Sequence, residues 1–477
     1  MKNRPRVRRA RVVLFSAAVI VYHAMFARVD VSPSLFTTSS GGVGYRYPPD
    51  VCRFNLSVYV YDDLPAEFTS EIEQHWTNTT TREILAKSSG QWDDSNTEYQ
   101  IAQLFRSTPC RTGDPAKANL FVVPYPHQSD CMTSAHFHGG YGPGCPQVPT
   151  SKIRRLFGWL NEQPSYNSDN QHVFLTMYHR LMLRPEVQDL PLRIVSTPQY
   201  PNPYQPGHIV VPLLNEALTH RPSYIVNFSN SWWTRPRKYS LAFVYGRLNR
   251  NMKVRQPRVF RRYFHNSLLN REKDLKSQGW NSTIGGLPYF VSFGTFNKTE
   301  SGLLDVTSVY EDSIFCPILP GDLPHARRIF DAMAHGCLPV FMSWPAAGTE
   351  GDWENSPSWY TPSSVQAKYN YPFFADLYTR DPFYVEKENT IDYESFAVVT
   401  HGNSSDAKNF LPMIEKMDTL IRLAPDEIRR RQLALKENVI PLIYGLGEDA
   451  HRYDDAFSRT MRILEAYVHR VVTGRVV

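Results

Sequence analysis

The chain has 477 residues, 42% of them hydrophobic, enough to bury two ordinary domain cores, so a pair of roughly 200-residue lobes is expected rather than one domain. Its formal net charge is +6, and Lys2, Arg4, Arg6, Arg8, Arg9 and Arg11 supply six positive charges before any acid appears. The remainder is neutral, so no nucleic-acid partner is expected of the folded body.

Residues 1–11 therefore form a basic tail, and residues 12–27, VVLFSAAVIVYHAMFA, are an uncharged apolar run. Sixteen residues is short against the ~20 of a typical span, but thin early-secretory membranes accept it. The preceding cations keep the first residues in the cytosol and send the body to the lumen. A signal-anchor transmembrane helix is expected, with a cleaved signal peptide as its rival; no clean A-x-A motif precedes a cleavage point. Residues 28–50, rich in Ser, Thr, Gly and Pro, read as a flexible stem.

Two features suit a secretory compartment. Asn55, Asn78, Asn227, Asn281, Asn297 and Asn403 each open an N-x-S/T sequon. The six cysteines, Cys52, Cys110, Cys131, Cys145, Cys316 and Cys337, are even in number and lack metal-ligand spacing. Sequence leaves connectivity open. Cys131 with Cys145 would close a Gly-rich loop, Cys316 with Cys337 would join two strands, and buried free thiols are the alternative.

The folded part begins near Val51. LSVYVYDDLP (56–65) alternates and is rich in aromatic and β-branched residues, predicting a strand that ends at Asp62-Asp63. NTEYQIAQLFRS predicts an amphipathic helix, and ANLFVVPYP a strand buried on both faces, as parallel strands are. A helix over Ser151 to Leu160 and strands at HVFLTMY and RIVST continue the alternation, which argues an α/β lobe over 51–236. The Pro-rich, aromatic run from Arg221 to Pro236 reads as the linker to a second lobe, 237–477.

That lobe opens with RKYSLAFVYGRLNRNMKVR, a strand followed by Gly246, Arg247 and a basic loop. EDSIFCPILPGDLPHARRIFDAMAHGCLPVFMS (311–343) is the richest segment: strand, Gly-Asp turn, helix, glycine stop and strand, one βαβ half of a nucleotide-binding sheet. Asp322 suits an N-cap and Pro324 the first turn. Arg327 and Arg328 lie toward the positive end of the helix dipole, where cations are disfavoured unless an anion is bound. The bland reading pairs Arg327 with Asp331 four residues on and leaves Arg328 solvated. An irregular insertion from Trp344 to about Asn389 follows, then IDYESFAVVTHG as a strand, then two helices, the second starting at Pro425.

Four of these blocks, LSVYVYDDLP, EYQIAQLFRSTPCRTGDPAKANLFVVPYP, RKYSLAFVYGR and DSIFCPILPGDLPHARRIFDAMAHGCLPVFMS with IDYESFAVV after it, occur in the order and form of the exostosin family of glycosyltransferases, which the chain resembles over most of 56–400. It departs at Pro320, where the family usually carries a basic residue, and at the long insertion, which delays the Leu-Pro-Phe-like Tyr371-Pro372-Phe373. The resemblance implies an α/β fold of GT-B type, two Rossmann-like lobes facing a cleft; with the N-terminal membrane anchor helix read above, the Golgi membrane is the expected location. It implies an inverting transfer from a nucleotide sugar, usually UDP-linked, to a polysaccharide, proteoglycan or glycoprotein glycan. The alternative is a non-catalytic subunit that binds or stabilises an active partner, and homo- or hetero-oligomers with another glycosyltransferase fit either.

Such a reaction needs a base for the acceptor hydroxyl, stabilisation of the departing diphosphate, and a dry cleft. The chain has no Asp-x-Asp pair; Asp352-Trp353-Glu354 is the nearest substitute, so cations and a helix N-terminus are expected to replace metal. Gly246, Arg247, Arg255, Gly321, Asp322, Arg327 and Arg328 are the candidates for the diphosphate, Asp331 for the ribose or for orienting Arg327, and Glu350 and Asp392 for the donor side. His127 and Asp130, after the buried strand FVVPYP, are the candidates for acid-base work, with Asp62, Asp63 and His179 also at strand ends.

Overall fold

The computed structural model describes residues 46–69, 92–126, 150–166, 171–175, 193–195, 208–214, 222–245, 259–277, 283–293, 306–319, 327–343, 372–373, 390–401 and 409–472. The apolar run 12–27 and the Cys131 and Cys145 pair lie outside them. Among the described residues no helix is long and apolar enough to cross a membrane.

Two all-parallel, five-stranded sheets carry the fold. The first contains β1 (Val58–Val60), β2 (Leu120–Val123), β3 (His172–Leu175), β4 (Arg193–Val195) and β5 (His208–Val210), side by side in chain order. Helices α1 (Trp92–Ser107) and α2 (Thr150–Asn161) cover it. Strand alternation sorts the side chains. Val58, Val60, Leu120, Val122, Val173 and Leu175 join Ile101, Leu104 and Phe105 of α1, whereas Tyr61, Phe121, Val123 and Phe174 meet Leu156 and Leu160 of α2. Covering both faces explains why β2 is apolar without a break. A Cys52–Cys110 disulfide ties the chain ahead of β1 to the end of α1.

The described part of the run expected as a linker, 222–236, is folded and partly packed. It forms two short helices, α3 (Pro222–Ile225) and α4 (Asn230–Trp233), and Trp233 is completely buried. Large aromatic side chains gain more by joining a core than a solvated tether allows. One apolar cluster accordingly runs from the first sheet through Ile225 and Trp233 into the second.

The second sheet contains β6 (Tyr239–Tyr245), β7 (Phe290–Phe293), β8 (Ser313–Pro317), β9 (Leu338–Ser343) and β10 (Val398–His401), in the order β10-β9-β8-β6-β7. Helices α5 (Val259–Ser277), α6 (Val306–Glu311) and α7 (Arg327–Ala334) connect its strands. The long insertion touches the core at Pro372 and Phe373, whose carbonyls accept from the Tyr393 hydroxyl at 3.0 Å and the Ile391 N–H at 2.5 Å. Helices α8 (Leu411–Leu423) and α9 (Pro425–Val439) then bury Met413, Ile414, Met417, Leu435 and Val439. As its sequence predicts, α9 opens with Pro425, Asp426 and Glu427.

The last segment, ending in α10 (Ala456–Val472), is tied to the first sheet. Phe457 meets Phe105 edge to face at 5.0 Å, and Arg53 donates to the Tyr453 carbonyl at 3.0 Å and to Ser458 Oγ at 2.5 Å. Asp455, almost wholly buried, accepts from the N–H groups of Gly445 at 2.6 Å and Ser458 at 2.9 Å. Burial pushes its carboxyl up to about 6, against the pull of those bonds. A Cβ on Gly445 would lie 2.5 Å from the Asp449 carbonyl, so only glycine permits this approach.

His451 is, with Phe373, a non-glycine residue in the left-handed region among the described residues, at φ 61°, and its Nε2 is 3.0 Å from Ser107 Oγ. Burial, then the Arg53 charge, lowers the imidazole from 6.5 to about 4. The depressed value means that between those limits the unfolded chain binds the proton and the folded chain resists it. Stability from His451 is therefore complete above 6.5 and is lost as the pH falls toward 4. Asp455 acts in the opposite sense, its contribution being lost as the pH rises through 6. Between pH 7 and 5, wild type should lose about 1–2 kcal/mol more than His451→Gln, measured by urea unfolding; parallel curves would remove His451 from this balance.

Candidate functional site

In the order β10-β9-β8-β6-β7, the chain turns one way from β6 to β7 and the other way from β8 onward. The reversal lies between β6 and β8, and crevices at the carboxyl ends of such strand pairs are where parallel α/β sheets take ligands. Tyr245 ends β6 and Pro317 ends β8. The Tyr245 hydroxyl donates to the Pro317 carbonyl at 2.6 Å and accepts from the Leu319 N–H at 2.9 Å. One buried side chain thus satisfies two backbone groups of a chain leaving the sheet. Arg261, from the start of α5 and 6% exposed, holds its guanidinium 4.7 Å from the Tyr245 ring centre.

Beyond Leu319 the connection leads to α7, whose first two residues are Arg327 and Arg328. Ile329, Phe330 and Met333 are wholly buried, the helical face that the sequence predicts. Gly336, at φ +75°, ends the helix as expected. Its N–H donates to the Met333 carbonyl at 3.0 Å, and the Cys337 N–H to that of Ala332 at 2.9 Å. A Cβ on Gly336 would lie 2.9 Å from Nη2 of Arg237, a guanidinium that also donates to the carbonyls of Trp233, at 3.0 Å, and Glu311. Burial, then the Arg235 charge, lowers the Arg237 value. Both bridging residues of Cys316–Cys337 are buried, and the bond joins β8 to the start of β9 as the sequence proposed.

Asp331 lies inside α7 and is 6% exposed. Its carbonyl accepts from Nδ1 of buried His335 at 2.6 Å, which assigns the proton to that ring nitrogen. In the first sheet Asp62, just beyond β1, accepts from Arg106 Nε at 3.2 Å and from Arg111 Nη2. Its charge is thereby met by two cations. Asp392 accepts from the Glu394 N–H at 3.0 Å and caps a short helical turn.

Of the sequence-derived site, the described residues include Arg327, Arg328 and Asp331, all on α7, and Asp392 ahead of β10. His127, Asp130, Gly246, Arg247, Arg255, Gly321, Asp322 and Glu350 lie outside them, as do His179, Pro320 and the Asp352-Trp353-Glu354 run. Tyr245 and Arg261 were not singled out by sequence reasoning. The available signal was a tyrosine as the last strand residue ahead of Gly246. Among the described residues no group of three or more His, Cys, Asp and Glu side chains is gathered for a metal.

Residues 53–413 match the family described as the Exostosin GT47 domain. The chain is 23% identical over 340 residues to xyloglucan-specific galacturonosyltransferase 1 of Arabidopsis thaliana, covering 65% of this chain and 46% of that protein. Two probable xyloglucan galactosyltransferases of the same plant, GT13 and GT12, are 23% and 26% identical, with 61% and 59% of this chain and 59% and 52% of those proteins covered. The chain thus spans about half the length of the curated relatives it matches. Because the match runs from ahead of β1 into α8, through both sheets and the strand reversal, the chain belongs to the exostosin GT47 family of glycosyltransferases.

Proposed function

We propose that the chain is an inverting glycosyltransferase of GT-B type, moving a sugar from a UDP-linked donor to a glycan in the secretory lumen. The observation that carries this reading is the strand reversal at β6 and β8, where Tyr245 fixes the exit of the chain leading to an arginine-headed helix. The relatives named above are xyloglucan galactosyl- and galacturonosyltransferases, which supports a polysaccharide, proteoglycan or glycoprotein glycan as acceptor. Residues 12–27 would anchor the body in the Golgi membrane.

In the transfer, the acceptor hydroxyl oxygen bonds to the anomeric carbon from the side opposite the diphosphate, and the carbon–oxygen bond to the diphosphate breaks. The hydroxyl proton passes to a base and the electron pair leaves with the nucleoside diphosphate. His127 or Asp130, which follow the strand FVVPYP in the sequence, is proposed as that base. Asp62 is the weaker choice there because both its oxygens are engaged by arginines. Arg327, Arg328, Arg247 and Arg255, with the backbone at Gly246, Gly321 and Asp322 and the start of α7, would neutralise the departing charge. Fixed donors of this kind cost no reorganisation when the bond breaks. Asp331, buried inside α7, is assigned to orienting Arg327, and Glu350 to the donor sugar. Pro320 favours the second reading, a non-catalytic exostosin-like subunit of an active complex. Donor turnover decides between them.

The detergent-solubilised full chain should hydrolyse or transfer from a UDP-sugar, and absence of both turnover and UDP binding would sink the enzyme reading. Arg327→Ala and Arg328→Ala should each lower kcat by about 10- to 1,000-fold with the thermal midpoint unchanged. Unaltered kinetics in both would take these arginines out of the mechanism. Activity should persist in excess chelator, and a strict requirement for Mn²⁺ would contradict neutralisation by arginines alone. Tyr245→Phe removes a donor and an acceptor from the strand exit. It should cost about 1–3 kcal/mol of stability and weaken UDP binding, read by calorimetry; undiminished affinity would detach Tyr245 from the donor site.

A further inference from the structure

We propose that Asn227 carries an N-linked glycan whose first sugar packs against the ring of Tyr224. This rests on the reading that the body enters the secretory lumen. Asn227-Phe228-Ser229 is a sequon on the turn between α3 and α4, and both Asn227 and Ser229 are exposed. Glycosylation joins the Asn227 side-chain nitrogen to the anomeric carbon of an oligosaccharide carried on a polyprenyl diphosphate. The carbon–oxygen bond to that diphosphate breaks, the lipid diphosphate departs with the electron pair, and the amide gives up one proton.

The folded geometry accepts the product. Asn227 Nδ2 donates to the Ser223 carbonyl at 2.8 Å. An amide nitrogen has two hydrogens, and glycosylation consumes one, so the other still serves that bond. Ser229 Oγ accepts from the Trp232 N–H at 3.2 Å and lies 2.7 Å from Ser231 Oγ. With both working groups of the sequon engaged in the folded chain, transfer must precede closure of this turn.

The second observation is the aromatic row beside the site. Tyr224 is 47% exposed, a large apolar ring at the surface, and sits three residues before Asn227 on the same helical turn. It contacts Phe228 edge to face at 4.7 Å, Phe228 stacks on Trp232 at 3.8 Å, and the Arg235 guanidinium lies 4.3 Å from the Trp232 ring centre. The row braces one edge of the Tyr224 ring, three residues from the attachment point. Aromatic rings combine large apolar area with few rotatable bonds, which suits them to the C–H face of a sugar. Asn55, the other sequon among the described residues, differs: its neighbour Phe54 is half-buried, with Arg53 5.3 Å from the ring centre.

The test uses the full chain expressed in a secretory eukaryotic host, with peptide masses read before and after enzymatic deglycosylation. Asn227 should be occupied, and an endoglycosidase acting on native protein should release its glycan about threefold or more slowly than from Tyr224→Ala, with the rate at Asn55 unchanged. Tyr224→Trp should keep the slow release. Occupied sequons elsewhere with Asn227 bare would overturn the site, and equal release rates from wild type and Tyr224→Ala would overturn the packing. If every sequon is bare, the lumenal premise fails and the proposal with it. UDP-sugar turnover is measured separately, so an inactive yet glycosylated chain leaves this inference standing.

Discussion

A strand that leaves a parallel sheet must turn its last backbone groups toward some partner other than a neighbouring strand. At the reversal between β6 and β8 that partner is the Tyr245 hydroxyl, which uses its donor on Pro317 and an acceptor site on Leu319. Water at this point would satisfy the same groups without fixing a direction. A buried phenol fixes one, and the chain leading to α7 starts from it. At the far end of α7 the direction is fixed again. Gly336 turns in a conformation that side chains disfavour, under the Arg237 guanidinium, and Cys337 is bonded to Cys316 one strand away. The strand ahead of the arginine-headed helix therefore has a fixed exit and the helix itself a fixed end, independently of any ligand.

The second set of constraints is electrostatic and joins the last segment of the chain to the first sheet. Asp455 is buried as an acid whose value is raised by desolvation, and Arg53 is likewise pushed down by burial, then pulled up by Tyr47, Asp455 and Asp454. Burying such groups costs several kcal/mol before their contacts repay it. What they provide is direction: Gly445, Tyr453 and Ser458 are bound at set positions, and Phe457 meets Phe105 in one orientation. Polar contacts of high cost and fixed geometry specify one arrangement where apolar packing alone would tolerate several.

Much of this was legible in the sequence because it rests on local rules. The alternation of β1, the unbroken apolar β2, the face of α7 carrying Ile329, Phe330 and Met333, the Gly336 stop and the Pro425 start of α9 each follow from spacing or from one residue's conformational limits. What was not legible depends on distant partners. Trp232 and Trp233 look like tether residues until Gly336, about a hundred positions later, supplies the surface they pack on. Tyr245 looks like any strand aromatic until β8 is placed beside β6. Asp62 resembles a strand-end acid available for proton transfer until Arg106 and Arg111 reach it. Cys52 gives no sign of Cys110 as its partner, because a sequence separation of 58 sets no geometry.

In the proposed function, the division between residues that fix α7 and residues that would meet the donor has a physical reason. A cation near the positive end of a helix is unfavourable without an anion, so Arg327 and Arg328 add nothing to the stability of α7 by themselves. Stability must come from elsewhere in the same unit, and it does: buried Ile329, Phe330 and Met333, the glycine turn and the disulfide lie beyond the arginines. This separation lets the helix start carry positive charge at a place where its own fold would not choose it. Under the proposed function, a bound diphosphate would relieve this electrostatic cost. Part of the affinity for such an anion would then originate in the packing of residues that never touch it.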